Sequence, residues 1–348
     1  MKYVLLALLT LSILIVISNG VSAESLNPPT APASAEAVMP DAQKNFGTSV
    51  LSMLKKALPD AYIEFRKALQ TGLAVFCCTF LISILQAAGC TSGTANMAGT
   101  ACVAGLLLSD SHVLIGLAVE TVTEIGEYSK LFLPVLTTAA SARGAMTSAA
   151  ALYVGTSVVT AFLNMIIRRA MIPAVYLYLA VSIANSAIGE QQLGQMKESV
   201  KKTAAWFLKS VLTLFFAYMS VTGAVTGTAD KAAVKTAKAA ISAVVPVIGK
   251  SLADASEALL LSADIAKNTI GVYGIYVFIG IFLVPFLRIG AHYLVLKGTA
   301  MLCGIAGNTR LTKLLEDFCA AMGILLGMAG VMCALSVIGT VCFMKGAA

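Results

Sequence analysis

Charged side chains are scarce in this sequence. Only 12% of the 348 residues are Asp, Glu, Lys or Arg, whereas soluble domains carry about 25%. The formal net charge of +7 is scattered and forms no basic stripe with interleaved aromatics, so nucleic-acid binding is not supported. With one Trp and two His in the whole chain, the sequence also offers little material for a cofactor or metal site.

Motifs typical of enzymes and redox proteins are missing as well. The eight cysteines include no Cys-x-x-Cys pair, which argues against zinc or thioredoxin-like chemistry, and most are interpreted as small buried hydrophobic residues. There is no Walker loop, Gly-x-Ser-x-Gly elbow, His-Glu-x-x-His pair, or Gly-x-Gly-x-x-Gly turn that opens a helix. The sequence therefore predicts a non-enzymatic protein without a cofactor, in which any ATP-driven step needs another subunit.

Long apolar blocks are what the sequence has in abundance. Apolar residues make up 58% of the chain and the mean hydropathy is +0.88, values typical of membrane proteins. Because a bilayer-spanning backbone must satisfy its own hydrogen bonds, we predict an all-α polytopic membrane protein with about seven transmembrane helices. This transmembrane domain is placed at residues 71–348. Its predicted spans are residues 71–88, 97–119, part of 131–167, 171–188, 204–227, 272–287 and 318–343.

Three segments precede that domain. Residues 1–23 combine a basic start, an apolar core and a Val-Ser-Ala end, the pattern of a secretory signal peptide, with an uncleaved anchor as the alternative. Residues 24–46 contain four prolines among Ala and Ser and predict a flexible linker outside the cytoplasm. Residues 47–70 alternate apolar and charged positions at helical spacing, which predicts two short amphipathic helices separated by Pro59.

Charged residues inside or beside the predicted spans form a candidate polar path. Asp110 interrupts the second span, Arg143 lies at a polar break where a broken or re-entrant helix is predicted, and Arg288 follows the sixth span on the same helix face as His292. Ionisable residues at membrane depth often mark ion or proton routes. Simpler alternatives stay open: a surface loop around Asp110, a hairpin tip at Arg143, and snorkelling of Arg288 from a span end. Residues 120–130 are interpreted as an acidic connector.

Two glycine pairs are candidate helix-packing sites. Gly223 with Gly227, and Gly323 with Gly327, are each four residues apart in an apolar run. Small residues at this spacing let two helix backbones approach closely in lipid. The pattern also arises by chance in spans rich in Gly and Ala. If the contact is real, it joins helices within one chain or between copies, which leaves a homo-oligomer open.

The region between the fifth and sixth spans is too patterned for a plain loop. Residues 228–268 predict an amphipathic helical hairpin, first basic and then acidic, with its break at Pro246. Lys231, Lys235 and Lys238 line up along the first helix, so they are candidate contacts for a partner or for the membrane surface. A solvated helix face is the alternative.

The same region carries a family resemblance. The run GTADKAAVKTAKAAISAVVPVIG, followed by LADASEALLLSADIAKNTIGVYG, resembles stage III sporulation protein AE of endospore-forming bacteria. The resemblance covers most of the chain from residue 50 onward. Three further stretches support it: KLFLPVLTTAASARGAMTSAAALYVGT, YLYLAVSIANSAIGE and LEDFCAAMGILLGMAG.

The resemblance implies a multi-pass protein of the mother-cell membrane that faces the engulfed forespore. It also implies a transenvelope channel, similar to specialised secretion machinery, that is needed for forespore development after engulfment. The implied partners are the other stage III sporulation proteins, including a separate ATPase and ring-forming subunits, and forespore protein Q. Membrane lipids are a further expected partner. The resemblance supplies no catalytic, cofactor-binding or metal-binding residues.

Two other functions are weighed against that of a channel component. An independent secondary transporter or small-solute channel would use Asp110, Arg143 or Arg288 along its path. Many transporters consist of two related halves with broken helices in matching positions, but the broken block and the hairpin of this sequence are unlike each other. An intramembrane enzyme would need a nucleophile with a base, or a metal pair, and the sequence shows neither. A non-enzymatic channel component is therefore the expected function.

Overall fold

All regular secondary structure in the described part of the chain is helical. The computed structural model describes residues 28–40, 46–88, 93–142, 146–244, 249–305 and 307–346. For residues 46–47, 86–87, 93–96, 220–244, 249–267 and 345–346 it describes the backbone alone. The helices are α1 (Ala33–Glu36), α2 (Phe46–Ala87), α3 (Gly93–Ala142), α4 (Met146–Ile166), a π-helical segment (Ile167–Met171), α5 (Ile172–Ile188), α6 (Gln191–Val244), α7 (Gly249–Ile305) and α8 (Thr309–Gly346). The predicted signal peptide lies outside the described residues.

Five helical stretches in the described residues are long and apolar enough to cross a membrane, which confirms an all-α polytopic fold. They are fewer than the predicted spans because neighbouring apolar runs are fused into longer helices. The second predicted span and the start of the third block share α3, and the remaining third block is continuous with the fourth span. The fifth predicted span includes residues described by their backbone alone. The five stretches are Thr48–Leu85, Met97–Ala142, Met146–Ile188, Asn268–Ile305 and Thr309–Met344.

Two predicted interruptions are wrong because the helices continue through them. Pro59 lies inside the 42-residue helix α2 and does not divide it. A proline removes one backbone hydrogen bond, a local cost that the rest of a long packed helix outweighs. The predicted acidic connector at residues 120–130 belongs to the 50-residue helix α3, where Val122 and Ile125 are fully buried while Glu127 is exposed. Its charged residues therefore occupy one face of a helix.

Two other predicted breaks, at Arg143 and at Pro246, fall outside the described residues. Helix α3 ends at Ala142 and α4 begins at Met146, around the predicted polar break. Helix α6 ends at Val244 and α7 begins at Gly249, so Pro246 falls in the residues between them, which lie outside the described part. Both helices are continuous with the apolar stretches that flank the predicted hairpin.

The N-terminal segment packs on the bundle and differs from the predicted flexible linker over residues 28–40. Ala35 is fully buried, and a Cβ on Gly280 of α7 would lie 3.1 Å from it, so two small residues allow this close approach. Ser34 Oγ donates a hydrogen bond to Glu124 Oε1 of α3 at 2.5 Å. The Lys56 ammonium of α2 donates to the Met39 carbonyl at 2.8 Å. The segment is thus attached to three helices.

Helix α8 occupies the centre of the bundle. It packs against α3, α4, α5, α6 and α7 and buries apolar side chains on several sides. Aromatic rings fill the interface between α3 and α7: Tyr128 and Phe132 stack at 5.5 Å, and Phe278 meets both edge-on. Helix α5 ends at Ile188, and the next residue, Gly189, has a φ of +84°, the left-handed conformation that glycine adopts without strain. The resulting bundle brings charged residues from distant helices together.

Candidate functional site

A cleft of about 600 Å³ opens between α2, α3 and α7. These helices contain three of the candidate membrane spans, and the cleft lies in the middle part of each. Asp110 and Arg288, two residues of the predicted polar path, both line it. Arg143, the third, lies outside the described residues. The ionisable residues of this charged cleft are Glu64, Lys67, Asp110, Glu120, Arg288 and His292.

Asp110 belongs to a continuous helix, so the alternative of a surface loop around it is wrong. Its side chain is half-buried at the cleft. His112 does not join it, because residues two apart point to different sides of a helix. The His112 ring instead makes a hydrogen bond between Nδ1 and the Tyr176 hydroxyl of α5 at 2.9 Å. Asp110 is therefore the residue of this pair that contributes to the charged cleft.

Arg288 lies in the middle of the 38-residue stretch Asn268–Ile305, and the alternative of snorkelling from a span end stays a prediction. Its buried Nε has no hydrogen-bond partner among the described residues. His292 lies one turn further along the same face, as predicted, and is only 9% exposed. Its Nδ1 is 3.0 Å from the Arg288 carbonyl oxygen, which can only accept, so Nδ1 is the donor in this hydrogen bond.

Charges of both signs face each other across the charged cleft without full pairing. Lys67 and Glu64 form an ion pair of 3.0 Å along α2. Among the described residues, Asp110, Glu120 and Arg288 make no ion pair within 4 Å. Unpaired charges in such a place can orient water, a small ion or a polar solute. No group of three or more His, Cys, Asp or Glu in the described residues is arranged to hold a metal ion.

The candidate packing glycines of α8 face a groove. Gly323 has no atom within 4 Å of the position its Cβ would take, and a Cβ on Gly327 would lie 3.4 Å from Leu208 Cδ1. Both line a groove of about 630 Å³ between α6, α7 and α8. Within the described part of this chain, no helix backbone closes on Gly323. A contact between copies stays a prediction.

The other candidate contacts lie in α6, in the region described by its backbone alone. Gly223 and Gly227 have helical backbone there, and so do the three lysines of the predicted basic face. Their side-chain contacts are outside the described residues. The roles predicted for Gly223, Gly227, Lys231, Lys235 and Lys238 therefore stay predictions.

One polar cluster was missed by the sequence analysis. Lys197 of α6 and Asp317 of α8 form an ion pair with Nζ 2.5 Å from Oδ2, and both residues are under 10% exposed. The hydroxyl of Tyr178 in α5 donates to Asp317 Oδ1 at 3.2 Å. Together, this buried ion pair and the Tyr178 hydroxyl connect three helices. Its members are 120 positions apart in the sequence, and each lies beside other polar residues, so no local pattern pointed to it.

Comparison with known proteins covers nearly the whole bundle. The family model described as Stage III sporulation protein AE matches residues 36–346. Stage III sporulation protein AE of Bacillus subtilis (strain 168) is 23% identical over an alignment of 298 residues, and the match covers 80% of this chain and 73% of that protein. No solved structure matches the chain. The matched region contains the five candidate spans, the charged cleft and the buried ion pair.

Proposed function

Since the chain belongs to the stage III sporulation protein AE family, we propose that it is a non-enzymatic component of the sporulation channel between mother cell and forespore. The observation that carries the proposal is the family match, which takes in all five candidate spans. In this proposal the chain resides in the mother-cell membrane that faces the forespore. It assembles there with the other stage III sporulation proteins, including a separate ATPase and ring-forming subunits, and with forespore protein Q.

The lengths of the helices support a role in a larger assembly. The stretch Met97–Ala142 has 46 residues. At 1.5 Å per residue a helix of this length extends about 69 Å, more than twice the roughly 30 Å of a bilayer core. Tilt of the helix absorbs only part of this excess. The bundle thus has helical surface left over outside the hydrocarbon region, where soluble or membrane-bound partners can bind.

Deletion of the gene in its sporulating host tests the proposal. The deletant should grow normally in the vegetative phase, and spore development should stop after engulfment, because only the sporulation channel is lost. A wild-type copy at a second locus should restore spores. Normal sporulation of the deletant would contradict the proposal.

The charged cleft favours a second candidate function, a path for a small ion or polar solute. The specific observation is that Asp110 and Arg288, from different helices, line one cleft within candidate spans. On this hypothesis, the variants Asp110→Asn and Arg288→Met should be made at normal levels and retain their partners, yet fail to restore spores. Exposed Lys202→Gln, on α6 away from the cleft, is the control and should restore them. If both cleft variants restore spores fully, the cleft is not a required path.

The predicted basic face of α6 is proposed as a docking surface for partners. Charge reversal at Lys231, Lys235 and Lys238 should lower recovery of the other channel proteins when the chain is purified from sporulating cells. The matched control reverses three lysines in the described part of the same helix, Lys201, Lys202 and Lys209. Docking at the basic face is contradicted if both triple variants recover the partners equally well.

A further inference from the structure

A second polar cleft, of about 510 Å³, lies between α3 and α4 and extends to the π-helical segment. Its three ionisable lining residues are all cationic: Lys130, Arg168 and Arg169. In the part of the chain that the structure describes, no carboxylate lines it. We call it the basic cleft. Neutral hydrogen-bonding groups complete its lining and come from Ser129, Ser157, Thr160 and Asn164.

The three cations have no acidic partner among the described residues. None of them forms an ion pair within 4 Å there, and all three are exposed. The charged cleft, by contrast, contains carboxylates next to its cations. Three like charges around one cavity repel one another, and an anion bound between them would remove that repulsion. The charge of the lining therefore selects an anion.

The π-helical segment explains how two consecutive arginines reach the same cleft. In Ile167–Met171 the turn is wider than in an α-helix, because each hydrogen bond spans five residues. Ile167 and Met171 anchor the segment in the core with 1% and 6% of their surface exposed. Arg168 and Arg169, between these anchors, are held at the surface and line the cleft. Such single π turns often occur at functional sites.

The surroundings of the basic cleft indicate where the anion comes from. The cleft lies between two candidate membrane spans. Met165 lines the cleft, while Leu131 and Val158 adjoin lining residues in sequence, and their exposed fractions are 48%, 64% and 61%. Exposed apolar side chains on spanning helices face acyl chains. A phosphate group that meets both these side chains and the cations is one attached to a lipid.

We propose that the basic cleft binds the phosphate headgroup of an anionic phospholipid, whose acyl chains lie along the apolar rim. The guanidinium groups of Arg168 and Arg169 donate to phosphate oxygens in the paired geometry that arginine favours. Lys130 adds a third positive charge from α3. The site thereby ties α3 and α4 to the lipid at one level of the bundle.

Native mass spectrometry of the detergent-purified full chain tests the site. The chain is titrated with phosphatidylglycerol, with phosphatidylcholine and with inorganic phosphate. Wild-type protein should retain phosphatidylglycerol more tightly than phosphatidylcholine. The double variant Arg168→Gln/Arg169→Gln should bind phosphatidylglycerol roughly 25-fold more weakly, because each of the two cations near an anionic lipid contributes about fivefold. Its retention of phosphatidylcholine should be unchanged.

Two further variants separate the cleft from general electrostatics. Lys202→Gln/Lys313→Gln removes the same charge from exposed positions outside the cleft and should change phosphatidylglycerol retention less than about twofold. Ala161→Leu keeps every charge but fills the lining of the cleft, so it should also weaken phosphatidylglycerol binding. Arg168→Lys/Arg169→Lys keeps the charge but loses the paired donor geometry, so its phosphatidylglycerol retention should fall between those of wild type and Arg168→Gln/Arg169→Gln.

The outcomes distinguish lipid from soluble phosphate. The proposal is supported if Arg168→Gln/Arg169→Gln and Ala161→Leu lose the phosphatidylglycerol preference while Lys202→Gln/Lys313→Gln keeps it. If phosphatidylglycerol is bound equally well by all variants, or lost equally in the Lys202/Lys313 control, the proposal is overturned. If inorganic phosphate binds with the same dependence on Arg168 and Arg169 while phosphatidylglycerol shows no preference, the lipid assignment is overturned in favour of soluble phosphate.

Discussion

The buried ion pair and the charged cleft both place ionisable side chains among membrane-like helices, but they satisfy those charges differently. Lys197 and Asp317 are in direct contact, and Tyr178 supplies a further hydrogen bond to the carboxylate. In the charged cleft, Arg288 and Asp110 lie on facing helices without forming an ion pair, and Arg288 Nε has no partner among the described residues.

The difference indicates two roles for charge: a paired charge stabilises the packing of helices, whereas an unpaired charge at a cleft can bind water, an ion or a solute. A buried charge costs several kcal/mol unless a partner compensates it, so the ion pair is held in one arrangement. The charges of the cleft border an open volume, where water, an ion or a solute can complete their interactions. Loss of one partner should thus damage the fold at the ion pair and damage function at the cleft.

The largest expected effect is the loss of Asp317. The variant Asp317→Ala leaves the Lys197 ammonium buried without a counter-charge, which should lower the free energy of unfolding by about 3–5 kcal/mol. Denaturant or thermal unfolding of the detergent-purified chain measures it. The double variant Lys197→Met/Asp317→Leu should recover most of the loss, since both buried charges are removed together. A single variant as stable as wild type would mean that the pair is not buried in solution.

A smaller loss is expected at the third member of the cluster. Tyr178→Phe removes the hydroxyl that donates to Asp317 but keeps the ring and the ion pair. Hydrogen bonds between helices in membranes contribute about 0.6–2 kcal/mol, so the free energy of unfolding should fall by that amount. The same unfolding experiment checks it. A loss as large as that of Asp317→Ala would show that the hydroxyl, and not Lys197, compensates the carboxylate.

Substitution in the charged cleft should affect stability less. Arg288→Met keeps most of the aliphatic volume and removes a buried donor that has no partner in the described residues. We expect the free energy of unfolding to change by less than about 1 kcal/mol in either direction. Unfolding of the purified variant beside Asp317→Ala tests the comparison directly. Equal losses of unfolding free energy in the two variants would show that Arg288 stabilises the fold as much as the buried ion pair does.

The smallest effect is expected where charges are paired but exposed. On α6, Lys201 Nζ lies 4.0 Å from Glu198 Oε1, and the two side chains are 45% and 48% exposed. Because water and salt screen such a pair, Lys201→Ala should lower the free energy of unfolding by no more than about 0.5 kcal/mol. A loss of several kcal/mol would show that pairing alone, without burial, accounts for the stability of charge in this bundle.

Much of the architecture was predictable because it depends on local composition. The scarcity of charge and the long apolar blocks indicated an all-α membrane protein. Arg288 and His292 are four residues apart, and this spacing correctly predicted that they lie on one helix face, because the positions on a face depend on helix geometry alone. Asp110 and Arg288 were selected as unusual residues, although nothing local indicated that they would share a cleft.

Only the tertiary structure decided which polar residues interrupt helices and which charges are compensated. Pro59 was expected to divide α2, and the charged residues 120–130 were expected to divide α3, but packing against other helices stabilises the continuous form of both. The partner of Lys197 is 120 residues away, and the basic cleft joins Lys130 of α3 to Arg168 beyond α4. The sequence by itself determined that this chain is a helical membrane protein. The packing of its helices determined where charge is neutralised and where it is left to bind.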